Sequence, residues 1–160
     1  MSRTPRQKVL LVEDDPATRE IIAMLLNENG YDVSAAANGL DALSQLKMKT
    51  PDLIISDLNM PEMSGPELLS IVHRRLPSVP TIAMSATHDF RRRMPDGVIA
   101  DAFFAKGRCG FDELLDKVTE LIRTRAVRQW TTNTLGSRPK RSPPHGGGPV
   151  RAALNPGHPR

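Results

Sequence analysis

Cys109 is the only cysteine in the chain, so no disulfide can close within it and nothing argues for an oxidising compartment. Long apolar runs are also missing. The longest, near Ile21 to Leu26, is far too short to span a bilayer, and Val9 to Val12 is too short for a signal-peptide core and is followed at once by acids. These absences predict a soluble cytoplasmic protein with no membrane partner. His73, His88, His145 and His158 lack the spacing of a metal site and read as solvated surface residues. Acidic residues are absent from Arg125 onward: residues 125–160 hold seven basic side chains and no Asp or Glu, whereas residues 1–124 hold fifteen basic and eighteen acidic ones. The formal charge of +4 therefore belongs to the C-terminal stretch.

At 160 residues there is room for one ordinary domain with an appendage. Val9 to Val12, Tyr31 to Ala36, Asp52 to Ser56, Thr81 to Ser85 and Ala102 to Ala105 read as short strands. The third is continuously apolar and β-branched, as in a strand buried on both faces. Between them lie helical patterns. Pro16 to Asn29 has Asp15 as its N-cap and Gly30 just past its end, and a second helix runs from about Gly39 to Met48. Ser64 and Glu67 form a capping box for a third helix, with Leu68, Leu69, Ile71, Val72 and Leu76 turned inward. Asp112 to Arg125 is the clearest amphipathic pattern, whereas Pro95 and Gly97 should shorten any helix between His88 and Ala100. Five strands alternating with helices predict an α/β domain, a doubly wound (βα)5 parallel sheet, over residues 7–124. Residues 125–160 read as a basic Pro/Gly-rich tail without fixed structure.

In such sheets ligands sit beyond the carboxyl ends of the strands, and there the sequence places Glu13, Asp14, Asp57, Ser85 and Lys106. Asp15 is set aside as a helix cap. Three carboxylates brought together repel unless a proton or cation intervenes, and hard oxygen ligands suit Mg²⁺. A divalent cation with a lysine and a hydroxyl nearby is a site for a phosphoryl group, for which Asp57 is a candidate nucleophile. No separate general base or substrate pocket is legible, which favours a switch over an enzyme.

"VLLVEDDPATR", "PDLIISDLNMPEMSG", "TIAMSA" and "AFFAK", in this order, resemble the receiver domain of two-component response regulators over about residues 7–124. The resemblance implies a flavodoxin-like sheet of strand order 2-1-3-4-5. It also implies Mg²⁺ on Glu13, Asp14, Asp57 and the backbone carbonyl of Asn59, and Asp57 as the phosphoacceptor. Ser85 and Lys106 would contact the phosphoryl group, Ser85 and Phe103 would be switch residues, and the phosphoryl donor would be a histidine kinase or a histidine phosphotransfer protein. The output protein is not named by the resemblance. Three departures stand out: Gly107 occupies the place of a customary cis-proline, which implies a trans linkage or a mobile loop here; Phe103 lacks the hydroxyl of the commoner tyrosine; and Pro95 and Gly97 mar the fourth helix, on the face where members of the family usually signal. Two further readings compete. One is a receiver-controlled nucleic-acid regulator using Arg138, Lys140 and Arg141 in the tail, and the other is an adaptor of the same fold that is never phosphorylated.

Overall fold

The computed structural model describes residues 5–86, 94–107 and 109–136. The expectations for His88, His145 and His158 and for the basic residues after Gly136 lie outside them. The element order is β1 (Lys8–Val12), α1 (Pro16–Glu28), β2 (Asp32–Ala36), α2 (Gly39–Met48), β3 (Leu53–Asp57), α3 (Gly65–Arg75), β4 (Thr81–Ser85), β5 (Ala102–Ala105) and α4 (Phe111–Gly136). All strand pairs are parallel and the sheet order is β2-β1-β3-β4-β5.

Alternation along β1 divides the core. Val9 and Leu11 point to one face, where Ile22 and Leu26 of α1 and Leu114 and Val118 of α4 cover them. Leu10 and Val12 point to the other, against Ala42 of α2 and Leu68 and Val72 of α3. With helices on both faces, β3 and β4 are buried along their whole length, which is why their sequences are continuous rather than alternating. Among the described residues no helix is long and apolar enough to cross a membrane.

The caps act as the sequence indicates. The Asp15 side chain accepts from the N–H of Thr18, and Ser64 and Glu67 exchange side-chain and backbone hydrogen bonds in a complete capping box. Replacing Ser64 with alanine is expected to lower stability by about 1 kcal/mol, read from the urea midpoint, because an N–H at the start of α3 loses its acceptor.

Three expectations need correction. The third strand begins at Leu53 and includes Asp57, one residue later than the sequence suggests, because Asp52 turns its carboxylate to the backbone N–H of Lys8 and the guanidinium of Arg125. Ile71 is only half-buried, lining a shallow groove with Leu40 and Leu43. The last helix does not end at Arg125 but continues for eleven residues to Gly136. Its apolar stripe stops where the sheet stops, so the periodicity that marks the first part is missing from the second. Between β4 and β5 the described residues, Met94 to Ala100, form a turn and irregular chain.

Candidate functional site

The carboxyl ends of the central strands open into one crevice. Glu13, directly after β1, is only 1% exposed and anchors its backbone N–H on the carbonyl of Ala36 at 3.1 Å. Asp57 closes β3 at 4% exposure, and Ser85 closes β4 at 1%. Lys106 follows β5 and donates its backbone N–H to the Ser85 carbonyl at 2.8 Å, which aims the side chain back across the sheet ends.

Lys106 Nζ lies 2.7 Å from Glu13 Oε2 and 3.2 Å from Asp57 Oδ1, so one ammonium bridges two buried carboxylates. Asp57 Oδ1 also accepts the N–H of Leu58 at 3.0 Å. Asp57 Oδ2 makes no hydrogen bond among the described residues, so one oxygen is committed and the other is left to the crevice. Asp14 is exposed at the rim, and one oxygen from each of Glu13, Asp14 and Asp57 falls within 4.8 Å of the others.

The electrostatics follow from burial. Desolvation pushes the Asp57 carboxyl above its ordinary range; Lys106 pulls it back, and the charge of Asp14 raises it further. Desolvation likewise raises Glu13, against the hydrogen bond from Lys106 and with the charge of Asp57. Burial alone would lower Lys106, but the hydrogen bond to Glu13 and the negative charges of Asp57 and Glu13 outweigh it and hold the ammonium above its ordinary value. The pocket thus carries more negative charge than one lysine neutralises. An all-oxygen donor set with that imbalance fits a hard divalent cation.

Two contacts at the crevice were not legible in the sequence. Arg19 Nη1 donates to the backbone carbonyls of Glu13 at 2.7 Å and Asp14 at 3.2 Å, fixing the acidic turn from the first turn of α1. Nothing local signals this beyond an arginine four residues after a helix cap. The Asn59 amide reaches the Ser85 hydroxyl at 3.5 Å, the outer limit of a hydrogen bond. Phe103 is half-buried, packed with Val98 and Ala100 against Leu58, Leu69 and Ala83. No cis peptide occurs among the described residues, so of the two alternatives at Gly107 the Lys106–Gly107 bond is trans, and Gly107 has φ +78°. Proline is held near φ −65° and could not occupy that position without rebuilding the loop.

A five-stranded parallel sheet in the order β2-β1-β3-β4-β5, with its polar crevice at the strand ends, is a flavodoxin-like doubly wound domain. Residues 9–118 match the response regulator receiver domain family. The chain belongs to that family, and so to the receiver domains of two-component response regulators.

A 14.6 kDa protein of Leptolyngbya boryana is 36% identical over 134 residues, covering 81% of this chain and 94% of that protein. The transcriptional regulatory protein GlrR of Escherichia coli is 36% identical over 100 residues, covering 62% of this chain but only 21% of GlrR. Among solved structures, response regulator protein TrrA of Thermotoga maritima in complex with Mg²⁺–BeF is 32% identical, with a TM-score of 0.64, covering 72% of this chain and 98% of TrrA. TrrA has also been solved in complex with the histidine kinase ThkA, where it is 33% identical to this chain, with a TM-score of 0.64 and coverage of 72% and 97%.

Proposed function

We propose that this protein is a phosphoryl-accepting switch in which Asp57 takes a phosphoryl group from a histidine kinase or a histidine phosphotransfer protein. The observation that carries this reading is the setting of Asp57. It ends the central strand beside a lysine ammonium at 3.2 Å and two further carboxylates, with Oδ2 unengaged by any described residue. The likeness to TrrA, solved with Mg²⁺–BeF and with a histidine kinase, supports the donor class.

Glu13, Asp14 and Asp57, with the Asn59 backbone carbonyl, would hold Mg²⁺, which when bound neutralises charge between the carboxylates and the incoming phosphoryl oxygens. Asp57 Oδ2 attacks phosphorus, the bond from phosphorus to the donor's imidazole nitrogen breaks, and that nitrogen leaves with the electron pair and takes up a proton. Lys106, already reaching Asp57, pairs with the added negative charge, and the Ser85 hydroxyl donates to it. Phe103 packs on the α3 side of β4 next to that hydroxyl's strand, so a shift at Ser85 is transmitted to a half-buried ring that can repack. The product is an acyl phosphate and a changed surface, with no substrate released, so the protein acts as a switch on an output partner.

Incubation with Mg²⁺ and acetyl phosphate is expected to add one phosphoryl group by intact mass. Chelation of the metal and the Asp57→Asn variant are each expected to abolish the gain. An equal gain in Asp57→Asn would refute the assignment to Asp57, and no gain in the parent protein would refute it and favour the unphosphorylated adaptor.

A further inference from the structure

We propose that Arg19 is a positioning residue for the metal site: its guanidinium fixes the place of the Asp14 carboxylate and thereby sets the affinity for Mg²⁺. This role presupposes that Glu13, Asp14 and Asp57 hold the ion, and it adds what places the most exposed of the three. A guanidinium stays charged and has no acceptor atom, so Arg19 offers the metal no ligand. It acts through the backbone instead, because Nη1 donates to the carbonyls of Glu13 at 2.7 Å and Asp14 at 3.2 Å.

The three carboxylates differ in what holds them. Glu13 is buried and engaged at both oxygens: Oε2 takes the Lys106 ammonium at 2.7 Å, and Oε1 accepts the backbone N–H of Asp15 at 3.3 Å. Asp57 is buried and held through Oδ1 by the Leu58 N–H and by Lys106. Asp14 is exposed, and its carboxylate makes no hydrogen bond or ion pair among the described residues. Its position is therefore set by the turn from which it hangs. On the sheet side that turn is anchored by the Glu13 N–H on the Ala36 carbonyl at 3.1 Å, and on the helix side by Arg19. Helix α1 is a firm base for the second anchor, since Asp15 caps it and Ile22 and Leu26 bury its inner face.

Charge and geometry make opposite demands here, which gives the role a distinctive sign. A cation beside a divalent metal repels it, so by charge alone the loss of Arg19 would tighten Mg²⁺ binding. By geometry the loss weakens it. Two carbonyls are released, the turn gains conformational freedom, and ordering the Asp14 oxygens then detracts from the binding of the ion. Groups that orient metal ligands without touching the metal are worth about ten- to a hundredfold in affinity. Arg19 is only half-buried, so water and salt screen its charge, and the geometric effect prevails.

The full chain is titrated with MgCl₂ at constant ionic strength, and the amide NMR shifts of the crevice residues give the dissociation constant. The same spectra report whether each variant is folded, so a general loss of stability is not mistaken for a loss of affinity. Arg19→Met and Arg19→Gln, which remove both the charge and the reach to the carbonyls, are each expected to raise the constant about tenfold. Arg19→Lys keeps a cationic donor on a stem one atom shorter, and its constant should fall between those of the parent and Arg19→Met. The two neutral variants keep the test open should one of them fail to fold. A constant that is unchanged or lower in the folded neutral variants overturns the role of Arg19 and leaves the metal site standing, because charge would then be the whole of its influence. If the parent itself binds no Mg²⁺, the metal site fails and the role of Arg19 falls with it.

Discussion

Gly65→Ala is expected to cost about 3 kcal/mol or more of folding free energy, at or above the upper end of ordinary overpacking. A Cβ at this position would lie 2.1 Å from the Asp57 carbonyl oxygen, 2.6 Å from Leu58 Cα and 2.9 Å from the Asp57 carbonyl carbon. All three are backbone atoms, so no side chain can rotate out of the way. Neither partner is free to retreat. The Leu58 N–H is tied to the Met84 carbonyl at 2.8 Å, and the Gly65 N–H donates to the Leu58 carbonyl at 3.1 Å. The strain must therefore move α3 away from β3, opening the contacts of Leu68 and Leu69, both fully buried. Urea denaturation measures the loss. A change under about 1 kcal/mol would mean that the two backbones separate far more easily than the packing here implies. Because the clash falls on Asp57 itself, phosphoryl uptake per folded molecule should fall along with stability.

Lys106→Met should be nearly as damaging at neutral pH, by about 3 kcal/mol, because removing one partner of a buried ion pair strands the other charge. Here two carboxylates are stranded, Glu13 and Asp57. Their pKa values are already raised in the folded protein, chiefly by burial, and losing the ammonium raises them further. A carboxyl whose folded pKa lies above its unfolded value is most favourable to folding when protonated, and that contribution is lost as pH rises through the folded pKa. The stability gap between parent and variant should thus be small in acid and widen toward neutrality. In the parent, Lys106 acts in the opposite region. Its raised pKa gives stability that is fully present below the ordinary lysine value and lost as pH climbs through the folded one. If the three carboxylates hold Mg²⁺, the ion should raise the thermal midpoint of Lys106→Met more than that of the parent, since it replaces the missing positive charge. A gap independent of pH would mean that the lysine's packing, rather than its charge, is what matters.

Most of the fold could be read from local signals because each has a short-range cause. Asp15 with Pro16, and Ser64 with Glu67, mark helix starts through hydrogen bonds made within four residues. The continuous apolar runs of β3 and β4 follow from burial on both faces. The one-residue slip at β3 has a long-range cause: Asp52 is drawn out of the strand by Lys8 and by Arg125, which lies 73 residues away. At the crevice the acids, the serine and the lysine were legible as strand-end residues. That Lys106 spans both Glu13 and Asp57, and that Arg19 clamps the acidic turn, depend on tertiary geometry that no spacing rule encodes. The extension of α4 was hidden for another reason. A helix leaving the domain has no core face, and Thr131, Thr132 and Thr134 are weak helix formers, so neither periodicity nor propensity announces it.

That extension also makes α4 a lever. Its first residue, Phe111, stands five positions after the lysine of the crevice, its middle is held by the Arg125–Asp52 contact as by a fulcrum, and beyond that contact Arg128, Gln129 and Thr132 line a groove with Pro77, Pro80 and Asp101. A tilt about that contact moves both ends in opposite directions, and because eleven residues lie beyond Arg125 against fourteen before it, the tip moves somewhat less than the crevice end. The same rod that seals one face of the sheet therefore joins the crevice end to the opposite pole as one rigid piece, which relays a tilt without enlarging it.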